Sequence, residues 1–209
     1  MKLLTTLLTG GFAAAALTAT AFAAGEPPIG EPAPAFTLTD SAGVKHSLSD
    51  YKGKYVVLEW TNPGCPFVKK HYESGNMEKL QSEYTKKGVV WLTIDSSAPA
   101  EQGFLAGETA KKARDEQYKD STALLLDPTG MVGHEYHATN TPDMYIISPE
   151  GKLIYEGAID SIPSADQSDL AKATNYVQTT LDSVMDGKPV SDPVTKAYGC
   201  SVKYQGKGG

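Results

Sequence analysis

Cys65 and Cys200 are the two cysteines of this 209-residue chain, and their sequence settings differ. A thiol acts as a nucleophile in its thiolate form, so the question is what would stabilise an anion at each position. Cys65 follows the turn-forming run Thr61-Asn62-Pro63-Gly64 and precedes Pro66. Proline suits the first position of a helix, where its missing N–H costs nothing. Cys65 is therefore read as opening a helix, whose free N–H groups and dipole favour a thiolate. Lys69 and Lys70 add positive potential nearby. Cys200 lies far along the chain in Ala197-Tyr198-Gly199-Cys200-Ser201. A tail folding back over Cys65 would let Cys200 resolve an oxidised Cys65 as an internal disulfide. Packed elsewhere, Cys200 could reach another subunit. A permanent staple is the third use, and closing so long a loop contributes about 4–5 kcal/mol in the chain-entropy model.

Other reactive side chains give weaker signals. Glu59 sits in an apolar strand pattern. It is either an interior carboxyl of raised pKa able to relay a proton to the sulfur, or a carboxylate facing outward at a sheet edge. His71 is six residues beyond Cys65, on a different face of a regular helix, and is read as a surface or packing residue. His134 and His137 are three apart with no Cys or carboxylate at ligand spacing, so no metal site is expected. No cofactor is expected either. Trp60 and Trp91 fall in strand patterns and are read as core.

The elements that must position these residues follow from local pattern. The Pro-rich residues 25–35 form an extended lead-in, and FTLTD-SAG-VKHSL a hairpin. Residues 54–60 (KYVVLEW) and 88–95 (GVVWLTID) read as buried strands. Between them the helix from Cys65 is interrupted at Ser74-Gly75, and Asn76 is expected to cap a second helical piece through Lys87. A charged helix over 108–118, a strand over 122–126 and a short helix over 131–137 come next. DMYIIS and KLIYEG, joined by Pro149-Glu150-Gly151, form a hairpin. An amphipathic helix is predicted over 168–185, followed by an ordered but irregular tail. Strands alternating with helices define an α/β layered domain, with an antiparallel hairpin closing one side of a mixed sheet.

Composition and ends narrow the class. Residues 1–23 carry one Lys, an apolar Ala-rich run and an Ala21-Phe22-Ala23 end, the layout of a secretory signal peptide cleaved after Ala23 or Ala24. Two Gly and repeated Thr weaken the run as a stable membrane anchor, so the expected location is the periplasm. Residues 30–190 form one domain and 191–209 a tail carrying Cys200. The net charge of −6 and the lack of a basic stripe give no support to nucleic-acid binding.

The segments GEPAPAFTLTDSAGVKHSLSDYKGKYVVLEW, NPGCPFVKKHY, TNTPDMYIISPEGKLIYEGAID and AYGCSVKY together resemble the thioredoxin fold. The similarity is to its redoxin branch, the alkyl hydroperoxide reductase/thiol-specific antioxidant proteins. It implies a thiol-dependent oxidoreductase or antioxidant acting on a protein or small-molecule thiol or disulfide, recycled by an external thiol reductant. It further implies that Cys65 is the nucleophile, that Glu59 is the buried acid, and that Thr141 and a cis Pro142 shape substrate docking beside Pro66. This chain departs from the pattern at Val68, where a second cysteine would stand three residues after Cys65. It also has Leu58 and Asn62 where a peroxidase has Pro and Thr or Ser, and its one Arg, Arg114, lies well before the place of the peroxide-polarising Arg. A peroxiredoxin-like peroxidase is thus an alternative. The other is a non-catalytic binding module with a structural Cys65–Cys200 disulfide.

Overall fold

The computed structural model describes residues 27–206, so the segment read as a signal peptide lies outside the described residues. Among the described residues nine strands and five α-helices follow one another: β1 Thr37–Asp40, β2 Lys45–Ser47, β3 Val56–Trp60, α1 Pro66–Glu73, α2 Asn76–Lys86, β4 Val90–Asp95, α3 Gly107–Glu116, β5 Ala123–Leu126, α4 Met131–Glu135, β6 Asn140–Thr141, β7 Asp143–Ile147, β8 Leu153–Gly157, α5 Tyr176–Met185 and β9 Cys200–Ser201.

Seven strands form one mixed sheet in the order β2-β1-β5-β4-β3-β7-β8. The centre is parallel, β3 beside β4 beside β5, and the outer pairings are antiparallel. Alternation along β3 divides the core between the two faces of the sheet. Val57 joins Cys65, Val68, Tyr72, Trp91, Leu124 and Leu181 in one cluster. Val56, Leu58 and Trp60 join Leu92, Leu125, Tyr136, Tyr145 and the tail residues Val202 and Tyr204 in the other. Helices α1, α2, α3 and α5 contribute to the first cluster, and α4 with the tail to the second. This is the thioredoxin-like arrangement, with the β1–β2 hairpin extending one edge of the sheet.

Three local expectations need correction. Gly75, in the left-handed region at φ 73°, is the N-cap of α2, and Asn76 is its first helical residue. The Asn76 amide turns to His71 Nδ1 at 2.9 Å instead. The helix expected over 168–185 is broken: Gln167–Ala171 is a 3-10 turn capped by Asp166, and α5 restarts under a second cap, the Asn175 side chain accepting from Gln178 N at 2.9 Å. Between them the chain pairs with the segment just past β8 through Ser161 N to Thr174 O and the isolated Asp160–Asn175 bridge. The tail is irregular in conformation, yet it contributes a strand, β9, antiparallel to β6.

Candidate active site

Cys65 is held by the turn before it. Asn62 Oδ1 accepts from Gly64 N at 2.8 Å, and Asn62 O accepts from Cys65 N at 3.0 Å. The Asn62 amide is tied to the 96–103 loop by donating to Gln102 O at 2.8 Å and Ser97 Oγ at 3.3 Å. Cys65 is the N-cap of α1 with Pro66 in the first turn, and its carbonyl accepts from Lys69 N. Its side chain is fully buried.

Thr141 and Cys200 lie against the sulfur. The Thr141–Pro142 peptide is cis. The Cys65 thiol donates to Thr141 O at 3.1 Å. Thr141 is paired in the β6–β9 ladder with Cys200, whose thiol and backbone N–H both reach the Cys65 sulfur. Burial alone would raise the Cys65 thiol, but it is outweighed. The Thr141 hydroxyl, the Cys200 thiol and the Val68 and Cys200 backbone N–H groups, each placed to stabilise a thiolate there, bring Cys65 below its ordinary value. Thr141 Oγ1 is buried and makes no well-aligned hydrogen bond of its own, so it is free to donate to a thiolate. Cys200 moves the other way: burial raises it, and so does its interaction with Cys65, against a smaller opposing effect of Lys203. The pair is polarised, with the anion favoured on Cys65. Both cysteines are free thiols, so the bonded staple among the earlier expectations is not what the structure holds.

Glu59 takes the interior position of the two expected. It lies on the central strand β3, fully buried, between β4 and β7. Tyr72 Oη donates to Oε1 at 2.7 Å, while Trp91 Nε1 at 2.8 Å, Gln81 Nε2 at 2.9 Å and Thr93 Oγ1 at 3.2 Å donate to Oε2. Burial pushes the carboxyl above its usual range, and those four donors oppose the rise. The four hydrogen bonds go to the core and none to Cys65. The aromatic layer next to Glu59 leads toward the sulfur: Tyr72 packs edge-on against Tyr118, which lies within electrostatic range of both Glu59 and Cys65.

Sequence reasoning missed a second cluster beside the thiols. Lys70 is buried, not a surface charge, and its Nζ donates to Asp160 Oδ2 at 3.0 Å and Ile162 O at 3.2 Å. Tyr198 Oη donates to Asp160 Oδ1 at 2.6 Å and lies 3.3 Å from Lys70 Nζ. His71 is interior, with Nε2 3.6 Å from Asp160 Oδ2; burial lowers its pKa to about 4, Asp160 opposing and Lys70 assisting. A Lys next to a His on one helix carried no hint of a partner so distant in sequence. His134 stacks on Tyr204 at 4.0 Å. Arg114 donates to the carbonyls of Tyr118 and Ser121, away from the thiols. Among the described residues no group of three or more His, Cys, Asp or Glu side chains is placed to hold a metal ion.

A thiol capping a helix opposite a cis-proline, on a sheet of this order, defines a thioredoxin-type protein. Residues 29–156 match the AhpC/TSA family over more than half of the chain. The chain belongs to that family, in the redoxin branch of the thioredoxin superfamily. It is 30% identical over 128 residues to a thiol-disulfide oxidoreductase ResA of Bacillus thuringiensis subsp. konkukian, covering 61% of this chain and 68% of that one. It is 32% identical over 125 residues to the thioredoxin-like protein YneN of Bacillus subtilis, covering 59% and 68%. Among solved structures, an uncharacterized conserved protein from Geobacillus kaustophilus superposes with a TM-score of 0.72 at 29% identity, covering 86% of this chain and 93% of that one. Asp160, Tyr198 and Cys200 lie beyond the residues matched to the family.

Proposed function

We propose that the protein is an exported thiol-disulfide oxidoreductase in which Cys65 is the nucleophile and Cys200 the resolving cysteine. The observation that carries this reading is the position of Cys200 opposite Thr141, its thiol against the buried Cys65 sulfur. The Cys65 thiolate attacks one sulfur of a substrate disulfide, forming a mixed disulfide and releasing the first substrate thiolate. Cys200, losing its proton, attacks Cys65 Sγ and releases the second. The substrate disulfide leaves as two thiols, and the enzyme's dithiol becomes a Cys65–Cys200 disulfide that an external thiol reductant restores. The domain at 30–190 supplies the nucleophile and the tail at 191–209 its partner. Thr141 and Pro142 shape the contact face, Pro66 sets the helix start, and Glu59 serves as the proton store behind the sulfur. The names of the relatives support the reaction class, and the signal-peptide layout of residues 1–23 supports a periplasmic location.

The test follows reduction of oxidised glutathione and of a disulfide-bonded protein by the reduced enzyme. Cys65→Ser is expected to abolish both reactions. Cys200→Ser is expected to stop at a mixed disulfide on Cys65, visible by mass spectrometry. Full turnover by Cys65→Ser would contradict the assignment.

A further inference from the structure

The tail crosses the site as a strap fastened on both sides of Cys200. Upstream, Thr195 Oγ1 accepts from Ala158 N at 2.9 Å and lies 2.6 Å from Tyr155 Oη. Downstream, Val202 N donates to Thr139 O and Tyr204 Oη donates to Ala138 O at 2.7 Å. Nearest to Cys200 on the upstream side is Tyr198, whose hydroxyl donates to Asp160 beside Lys70 and whose ring packs edge-on against Phe67 at 5.8 Å. Lys70 and Phe67 both belong to α1, the helix that Cys65 opens. Tyr198 therefore ties the strap to the nucleophile's own helix. Gly199 then brings the strap against β6 so closely that a Cβ there would meet Thr141 O at 2.1 Å, and its φ of +139° suits glycine alone.

We propose that Tyr198, held by Asp160 and Lys70, is a latch that positions Cys200 against Cys65 and keeps Cys65 closed to solvent until it opens. The proposal deepens the thiol-disulfide reading and rests on it for the role of Cys200. The strap fills the backbone positions of Asn140 and Thr141 with its own Ser201 and Cys200, so any other extended chain pairs there only after the strap has left. Closed, the latch holds the two thiols together for internal disulfide formation. Open, it exposes the Cys65 sulfur to a substrate. Tyr198 touches neither sulfur and acts through the strap, as a positioning residue.

Two measurements test this. The first is the rate at which iodoacetamide labels Cys65 in the full chain carrying Cys200→Ser, with and without Tyr198→Phe. Phenylalanine keeps the ring on Phe67 and removes the hydroxyl with its hydrogen bonds to Asp160 and Lys70. Labelling is expected to rise at least roughly tenfold, the size that follows from deleting a hydrogen bond to a charged group. Gly199→Ala, which pushes the strap from β6 without touching Asp160, is expected to raise it as well. The second measurement restores Cys200 and follows internal disulfide formation, which Tyr198→Phe is expected to slow. Labelling runs well below the thermal midpoint of each chain, so a purely structural loss would lower that midpoint and leave the labelling rate unchanged. Unchanged labelling in folded Tyr198→Phe would overturn the latch. Absence of any Cys65–Cys200 disulfide in the unsubstituted chain would instead contradict the catalytic reading, whatever the labelling result.

Discussion

Cys200 faces Thr141 directly across the β6–β9 ladder, and the Thr141 carbonyl accepts the hydrogen bond of the Cys65 thiol at 3.1 Å. One residue thus holds both cysteines, Cys65 through its carbonyl and the tail through its backbone pairing. The protein presents Cys200 to the Cys65 site on an extended strand. Val68 stands where a thioredoxin has its second cysteine, and in the proposed reaction the tail supplies that partner.

Thr141 should also tune the thiol through its side chain. Its hydroxyl lowers the Cys65 thiol and is otherwise without a well-aligned partner. Thr141→Val keeps the shape and the backbone pairing and removes the donor. The Cys65 thiol is expected to rise toward its ordinary value, read from thiolate ultraviolet absorbance against pH in a Cys200→Ser background. An unmoved titration would show that the backbone N–H groups and the helix end carry the stabilisation alone.

The Glu59 site can be neutralised without being emptied. In Glu59→Gln one oxygen still accepts from Trp91 and Thr93, the Tyr72 hydroxyl can turn to accept, and Gln81 Oε1, which has no partner now, can take an amide N–H. That variant is expected to lose no more than about 1.5 kcal/mol, whereas Glu59→Leu strands the buried donors and costs about 2–4 kcal/mol. Chemical denaturation distinguishes the two. With the fold kept, Glu59→Gln is expected to flatten the pH dependence of Cys65–Cys200 exchange. An unaltered profile would remove Glu59 from the catalytic group.

Asp143, one residue past the cis-proline, gives a pH test of the loop that carries Thr141. Burial raises its carboxyl to about 7, against opposing hydrogen bonds from the backbone of Thr139 and Asn140. The folded chain keeps this proton to about pH 7, while the unfolded chain releases it near the ordinary carboxyl value of 3.8. The group's contribution to stability is therefore complete below that lower value and is lost as pH rises through about 7. Asp143→Asn is expected to be more stable than the unsubstituted chain at pH 8 by about 1–3 kcal/mol, with no gain at pH 4. Equal differences at both pH values would show that the carboxyl ionises freely in the folded state.

The parts legible in the sequence were those encoded locally. The Val56-Val57-Leu58 run, the Pro149-Glu150-Gly151 turn and the Cys65-Pro66 helix start each depend on neighbours a few residues away, and all three formed as read. The α2 cap was misplaced because Gly75 at positive φ served where a polar Asn side chain was expected. The last helix was overextended because an amphipathic pattern does not reveal that Asn175 opens a fresh N-cap. Around the site, Asp160 joins Lys70 from 90 positions along the chain and Tyr198 from 38, separations at which neither periodicity nor motif spacing carries a signal. The position of Cys200 was one of several open uses for the same reason: β9 is two residues long and exists only because β6 is there to pair with it.

The pairing of Cys65 with Cys200 is tested most directly by equilibrating the full chain in thiol–disulfide buffers of graded potential. Acid-quenched samples are then analysed by peptide mass spectrometry. The account predicts one reversible transition to a monomer lighter by two hydrogens, with a single peptide cross-link joining Cys65 to Cys200. Two thiols that stay free, or that oxidise only between chains, would contradict it.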